Sequence, residues 1–533
     1  MKKKLVVPAA ALAIAAAACA GCSGESGESS SVEASVEETE SAGGTEQAGT
    51  GEGSGTDSSP AKDTLIIATA NETPSVTTNE HSAVAGTYLN QMTHNGLFKM
   101  DENLQPVPDL VESYENTSDT EWLFHLKQGV LFHNGEEMKA EDVKASLELG
   151  KNSPEVSQHC ASIGTVEVVD DYTVKITTDG PQSGLLADLA HHGNFILPVD
   201  LIESGHNFNE EPIGTGPYKL VAWNRGESLE FEAFDDFFGG APAIKHITWR
   251  IIPEGSSRTM ALEAGEADLL IEVETADMPR LEQAEGITLV SEPGTSHNFM
   301  MINNEIAPFN NINFRKALAS AIDKNAIIQV ALNGDGTPVD AMVPDCFPGT
   351  TAEGAPTYDP EQAKAYLEAS GLDPAECGFT LICSDDVKLR AGQVIQSSLE
   401  ENLGIDVQLE SMDLATYLDV TAAGDYEASI GGYNANTLLT YALGVYHSRS
   451  INASNKTRTN DPEIDALIEN IQTALDPEEN EAAVTEFSKA INERCPQIPL
   501  YMKNNTRAYR SEIQGFNLNA GGTTYYEQFS WGN

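Results

Sequence analysis

The chain has 533 residues, 82 of them acidic and 30 basic, for a formal net charge of −52. That length calls for more than one lobe with ample core, and so acidic a surface repels nucleic acid and anionic headgroups, so neither is expected as a partner. Beyond the first two dozen residues no apolar run approaches the roughly 18 residues needed to span a membrane.

In chain order, Lys2, Lys3 and Lys4 precede an apolar, Ala-rich run from Leu5 to Ala18, followed by Cys19-Ala20-Gly21-Cys22-Ser23. A positive start, a short apolar core and small residues before a cysteine predict a signal peptide over 1–22. The segment resembles a bacterial lipobox, which implies a diacylglycerol on Cys22 as the new N-terminus. Cys19 stands where a lipobox usually has Leu, and ordinary cleavage without lipid is the alternative. From Ser23 to Lys62 the chain is rich in Ser, Gly, Glu and Thr. It offers too little apolar surface to offset ordering entropy, so a disordered tether is expected. About 40 such residues span ~35 Å, a length that suits a Gram-positive surface. The expected location is the outer face of the bacterial cell membrane, or the periplasmic side in a Gram-negative envelope.

The body opens at Asp63 with a strand over 64–69. Further strands are predicted at Trp122–Leu126, Ser228–Phe234, His246–Ile252 and Asp406–Glu410. A helix over Glu141–Leu149 sets Val143 and Leu147 on one face. A longer helix over Asn313–Leu332 aligns Phe314, Ala317, Leu318, Ala321 and Ile322. Asp359-Pro360-Glu361 and Asp461-Pro462-Glu463 each supply an N-cap, a first-turn proline and an acidic first turn, and Gly371 closes the first of these helices. Another helix lies near Ala391–Asn402. The alternation predicts a mixed α/β protein of two lobes.

Five cysteines follow the signal segment: Cys160, Cys346, Cys377, Cys383 and Cys495. The odd number leaves at least one unpaired. Cys377 and Cys383 flank a strand-like stretch and suit either a disulfide or two half-buried thiols. No CxxC pair suggests structural zinc. Gly214-Thr215-Gly216-Pro217 lacks the lysine of a phosphate loop and reads as a turn. His191 and His192 are adjacent, so on a helix their side chains diverge by about 100°; no metal site is assigned. No nucleophile and base stand at a telling spacing, so catalysis has no positive support and no cofactor is called.

Several segments together resemble the family 5 extracellular solute-binding proteins of ABC importers, which include oligopeptide, dipeptide and nickel receptors. They are Pro106–Tyr114 with Phe124–Val130, Phe132–Glu136 and Ala140–Val143; Pro212–Tyr218 with Trp223 and Gly226; Asn313–Leu318 with Ala321–Lys324; Tyr358–Pro360 with Ala363 and Lys364; and Pro496–Tyr501. The resemblance implies a periplasmic-binding-protein-like fold of type II, of the large kind with an extra subdomain, and a ligand cleft between the lobes. It places the first lobe at 63–302 with 505–533 and the second at 303–504. The chain then crosses twice, near Asn303 and Met502.

The resemblance also places the solute against Tyr433, Asn434, Asn436 and Tyr441, with His297 and Asn298 on the cleft wall; His447 is a further wall candidate and His133 a structural one. Many peptide receptors carry Trp at the position of Tyr433 and an Asp soon after it, which pairs with the ligand's ammonium. Here Asn434 to Leu443 holds no acid. The function implied is a monomeric, lipid-anchored receptor that captures a short peptide and passes it to an ABC permease. Alternatives are a nickel chelate, a glutathione-like thiol peptide or another polar metabolite on the same fold. A tethered surface hydrolase and a signalling or adhesion protein are further competitors.

Overall fold

The computed structural model describes residues 62–532. The signal segment, Cys22 and the tether up to residue 61 lie outside the described residues. Eleven strands form one sheet, in the order Val407–Ser411, Phe379–Cys383, Ala428–Tyr433, Ile287–Ile302, Gln497–Arg510, Leu269–Leu270, Thr64–Thr69, His246–Ile251, Ser228–Ala233 and Tyr218–Asn224. The short strand Gly336–Pro338 pairs with Gln497–Arg510 off this path.

Toward each end of the sheet lies a parallel set. Phe379–Cys383 is flanked in parallel by Val407–Ser411 and Ala428–Tyr433. Thr64–Thr69 is flanked in parallel by His246–Ile251 and Leu269–Leu270. Parallel neighbours need crossovers, and helices Asp386–Leu403 and Leu414–Ala423 supply those of the first set. Between the two sets run the long antiparallel strands Ile287–Ile302 and Gln497–Arg510. Ile287–Pro293 pairs with Arg510–Asn504, and His297–Met301 with Met502–Gln497, with the main register shift between Pro293 and His297 and a one-residue shift between Asn298 and Phe299. Tyr509 and Ala508 lie beside Leu269–Leu270, whereas His297–Ile302 lies beside Ala428–Tyr433. Each long strand thus serves one parallel set before the shift and the other after it.

Buried side chains follow the same division, giving the two-lobed α/β architecture. One cluster gathers Phe299, Phe314, Leu381, Ile430, Phe487 and Tyr501. Another gathers Leu65, Tyr218, Trp249 and Phe529. An extra four-stranded antiparallel sheet, ordered Val111–Ser118, Glu121–Leu126, Thr173–Thr177 and Thr165–Asp170, carries helix Ala140–Lys151 on its own core through Val143 and Leu147.

Local chemistry sets the element ends. Asp359 accepts from the Glu361 and Gln362 amides, and Gly371 closes the helix at φ 71°. Asp461 accepts from the Glu463 amide in the same way. The single helix expected over Asn313–Leu332 is two, Ile312–Ala321 and Lys324–Ala331. Ile322 is extended, and the Asp323 carboxylate accepts from the Ala326 amide at 3.1 Å to start a new helix. The cap overrides the continuous apolar face. Gly214–Pro217 is a turn pressed on the end of helix Val84–Thr93; a Cβ on Gly216 would lie 2.4 Å from the Thr93 carbonyl carbon. His133 braces it, with Nε2 3.0 Å from the Gly216 carbonyl, and burial pulls its pKa to about 4. All five cysteines of the body are free thiols. Among the described residues no helix is long and apolar enough to cross a membrane.

Candidate functional site

The six residues singled out from sequence come together beside the crossing. The strand ladder sets His297 opposite Tyr433 and Asn298 opposite Gly432. Alternation sends His297 and Asn298 to opposite faces of the sheet. His297 is fully buried against Tyr441 of helix Leu438–Val445, also fully buried; Asn298 is half-buried. Tyr433 is half-buried, its ring edge-on to Tyr441 at 5.8 Å between centroids, and burial raises its phenol pKa. The strand runs through Gly431 and Gly432 to Tyr433. Asn434 and Asn436 follow it, both exposed, before Thr437 caps the helix by accepting from the Thr440 amide at 3.1 Å.

Beneath them lies a polar cluster. The Tyr441 hydroxyl is 2.6 Å from His297 Nδ1, accepts from Gln497 Nε2 at 3.2 Å and reaches the Met342 carbonyl at 3.4 Å. Gln497 Nε2 also donates to that carbonyl at 3.1 Å, and the Tyr446 hydroxyl donates to it as well. Burial pushes His297 down to about 3, so its ring is neutral near pH 7. His297 Nε2 and Gln497 Oε1 are buried without a partner.

Thr295, which sequence reading missed, ties the crossing together. Its amide donates to the Ala520 carbonyl at 3.1 Å and its hydroxyl to Asn434 Oδ1 at 2.5 Å. The signal was Pro293-Gly294, a break in an otherwise strand-like run. His447 is buried and caps a short turn by accepting from the Arg449 amide. His191 and His192 join a ring stack with His81 and His159, at centroid spacings of 4.9 Å for His81–His192, 4.2 Å for His191–His192 and 3.8 Å for His159–His191. Among the described residues no three His, Cys, Asp or Glu side chains converge on a metal position.

A separate recess of ≈ 840 Å³ lies between the extra subdomain and the chain's last segment, lined by Lys99, Asp109, Lys127, Phe237, Phe238 and Glu527 among others. None of the six residues reaches it.

Residues 105–452 match the family described as bacterial extracellular solute-binding proteins, family 5 Middle. The glutathione-binding protein GsiB of Pectobacterium atrosepticum is 31% identical over 329 residues, 60% of this chain and 63% of that protein. The alignment therefore spans less than two thirds of that relative's length. GsiB of Salmonella paratyphi A is 27% identical over 441 residues, 79% of this chain and 86% of that protein. The solved structure of HbpA2 from Haemophilus parasuis superposes with a TM-score of 0.81 at 23% identity, covering 88% of this chain and all of that one. With the profile match covering most of the chain and the two-lobed architecture in place, the chain belongs to the bacterial extracellular solute-binding proteins, family 5.

Proposed function

We propose that this protein is a lipid-anchored, extracytoplasmic receptor of an ABC importer, which captures a short peptide between its lobes by hinged closure and delivers it to a membrane permease. The observation that carries the reading is the paired crossing. Two strands alone form the ladder that joins the two parallel sets, and that ladder breaks register between Pro293 and His297. A bulge lets a ladder bend while the pairing on each side stays intact, which suits a hinge of few residues. We put the pivot at 293–297 and 503–504, some residues before the crossing expected near Asn303, so that Ile287–Pro293 and Asn504–Arg510 go with the first lobe and His297–Ile302 and Gln497–Met502 with the second.

The solute seat is assigned to the crossing rather than to the 840 Å³ recess. Lys99, Lys127, Phe237 and Glu527 of that recess all belong to the first lobe, so closure would not reshape it. Tyr433, Asn434 and Asn298 stand where one lobe meets the other. A micromolar solute gives about −8 kcal/mol, part of which offsets closure, so the open form should dominate without solute.

The relatives named for glutathione favour one thiol tripeptide as the first solute to test. Isothermal titration of the protein with glutathione, tri-alanine and a mixed tripeptide library tests the reading, with small-angle scattering alongside. Saturable binding with a fall in radius of gyration supports it. Absence of binding to any peptide, with binding to another small metabolite, would replace the peptide assignment.

A further inference from the structure

Arg507, like Arg315, is a buried guanidinium with no counter-ion among the described residues, and it is the one of the two that keeps an unpartnered nitrogen. It is 4% exposed. Its Nη1 donates to the carbonyls of Ile271 at 2.6 Å and Thr506 at 3.2 Å, and its Nη2 to the Gly522 carbonyl and the Tyr88 hydroxyl, both at 3.2 Å. Its Nε has no partner. Among the described residues no carboxylate pairs with it. Glu272, near the same strand ends, is occupied by the Ala70 amide at 3.0 Å and the Thr69 hydroxyl. A guanidinium taken out of water is costly unless its donors are met or an anion joins it; Arg315 meets all three nitrogens with carbonyls, whereas Arg507 does not, so its arrangement suits an anion from outside the chain.

Tyr88 is the only side-chain hydrogen-bond partner of Arg507 among the described residues. The ring is half-buried, and the hydroxyl accepts from Arg507 and makes no other hydrogen bond among the described residues. Its own proton is free to be donated outward, polarised by the cation behind it. Gly522 faces that hydroxyl: a Cβ there would lie 3.0 Å from it and 3.4 Å from Asn505 Oδ1, so the absent side chain keeps the space beside the hydroxyl clear of a Cβ. The place adjoins the crossing. Asn505 Nδ2 donates to the Ala520 carbonyl at 2.8 Å, the same carbonyl that receives the Thr295 amide, and Thr295 in turn holds Asn434.

We propose that Tyr88, with Arg507 behind it, receives a carboxylate of the solute, so that the receptor orients its ligand by an anionic end. The stretch from Asn434 to Leu443 holds no acid that would fix an ammonium instead. Tyr88 makes the contact and Arg507 positions and charges it. The inference rests on the solute-binding reading above.

The test titrates the full chain with glutathione and with glutathione diethyl ester, in which both carboxylates are masked. The native protein should bind the acid about 10- to 100-fold more tightly than the ester, the range of a charge-assisted hydrogen bond. Tyr88→Phe, which removes one hydroxyl, should erase that preference while ester affinity stays put. Arg507→Lys should keep part of the preference and Arg507→Met should lose it. Equal affinity of the native protein for acid and ester, or a Tyr88→Phe variant that keeps the preference, overturns the inference and leaves the receptor reading intact. A native protein that binds none of glutathione, its ester, tri-alanine and the mixed tripeptide library overturns both. The acid and ester titrations of native protein decide the matter even where an Arg507 variant fails to fold.

Discussion

Replacing Tyr441 by Phe deletes one oxygen inside the buried cluster that holds Phe299, Phe487 and Tyr501. Tyr441 and His297 are both fully buried, so no water replaces the lost partner. Among the described residues the hydroxyl is the only hydrogen-bond partner of His297 Nδ1, at 2.6 Å, and His297 Nε2 already has none. The neutral imidazole would then keep a donor and an acceptor buried with nothing to bond. Gln497 loses one contact but retains the Met342 carbonyl at 3.1 Å, so its share is small. A stranded buried polar group costs about 1–3 kcal/mol, which sets the expected loss for Tyr441→Phe. Removing the ring nitrogens as well, in a His297→Leu, Tyr441→Phe double variant, should be less damaging than the sum of the single changes by about 1 kcal/mol or more. The assay is urea unfolding of native, single and double variants, read as midpoint shifts at constant slope. Additive single changes, or a Tyr441→Phe variant of native stability with weakened solute binding, would refute the reasoning and make the hydroxyl a ligand contact.

Tyr433→Ala should weaken solute binding about tenfold with little loss of stability, since the half-buried ring supplies contact area at the lobe junction; titration showing unchanged affinity removes Tyr433 from the site. Cys22→Ser should shift the protein from the membrane to the soluble fraction, and a variant that stays with membranes overturns the lipid anchor. Gly216→Ala should cost at least about 2 kcal/mol, because its Cβ meets Thr93 and His94 backbone at 2.4–2.5 Å; an unchanged melting temperature refutes it. Acid should destabilise the fold below pH 6.5. His94, His192 and His297 fall to about 3 and His133 to about 4 when folded, all by burial, from an ordinary 6.5. The unfolded chain then binds the extra protons, so stability is full above pH 6.5 and drops by about 1.4 kcal/mol per group per pH unit toward pH 4. Burial raises Asp188 to about 7, so its folded form takes up a proton first and offsets one such group. Four histidines outweigh it, and a melting temperature that holds or rises between pH 6.5 and 4.5 would contradict the balance.

Elements with local instructions were legible in the sequence. The strand at Thr64–Thr69 and the helices capped by Asp359 and Asp461 stand where their residues predicted, because caps, prolines and alternating apolar residues act over a few positions. The helix break at Ile322 was also local, but the apolar face of Phe314, Ala317, Leu318 and Ala321 masked the cap at Asp323. The long strand Ile287–Ile302 was not legible, since Pro293-Gly294 reads as an end and only pairing with Gln497–Arg510 carries the strand past it. The same holds within the site. Tyr433 and Asn434 were reachable from a motif. Thr295, Tyr88 and Arg507 were not, because Tyr88 and Arg507 are 419 positions apart and meet only through the fold.

That distance bears on the proposed mechanism. In the proposed division Tyr88 and Gly522 fall on the first-lobe side of the crossing, while Asn434 falls on the second and accepts from Thr295 within the register break. An anion seated at Tyr88 would lie beside the pivot, where closure moves groups least. The carboxylate would then serve as a fixed anchor in both open and closed forms, and the groups farther from the pivot would discriminate what is attached to it. Binding energy from the anchor would be gained equally in the two forms and would favour neither; closure would have to be driven by contacts made only when the second lobe arrives. In the proposed division the Tyr433 ring and Asn436, past the end of the strand that pairs with His297, stand on the second-lobe side and are the candidates for such contacts. Tyr433→Ala should therefore reduce the scattering change on glutathione binding more than Tyr88→Phe does at matched saturation. The reverse order would move the anchor off the pivot.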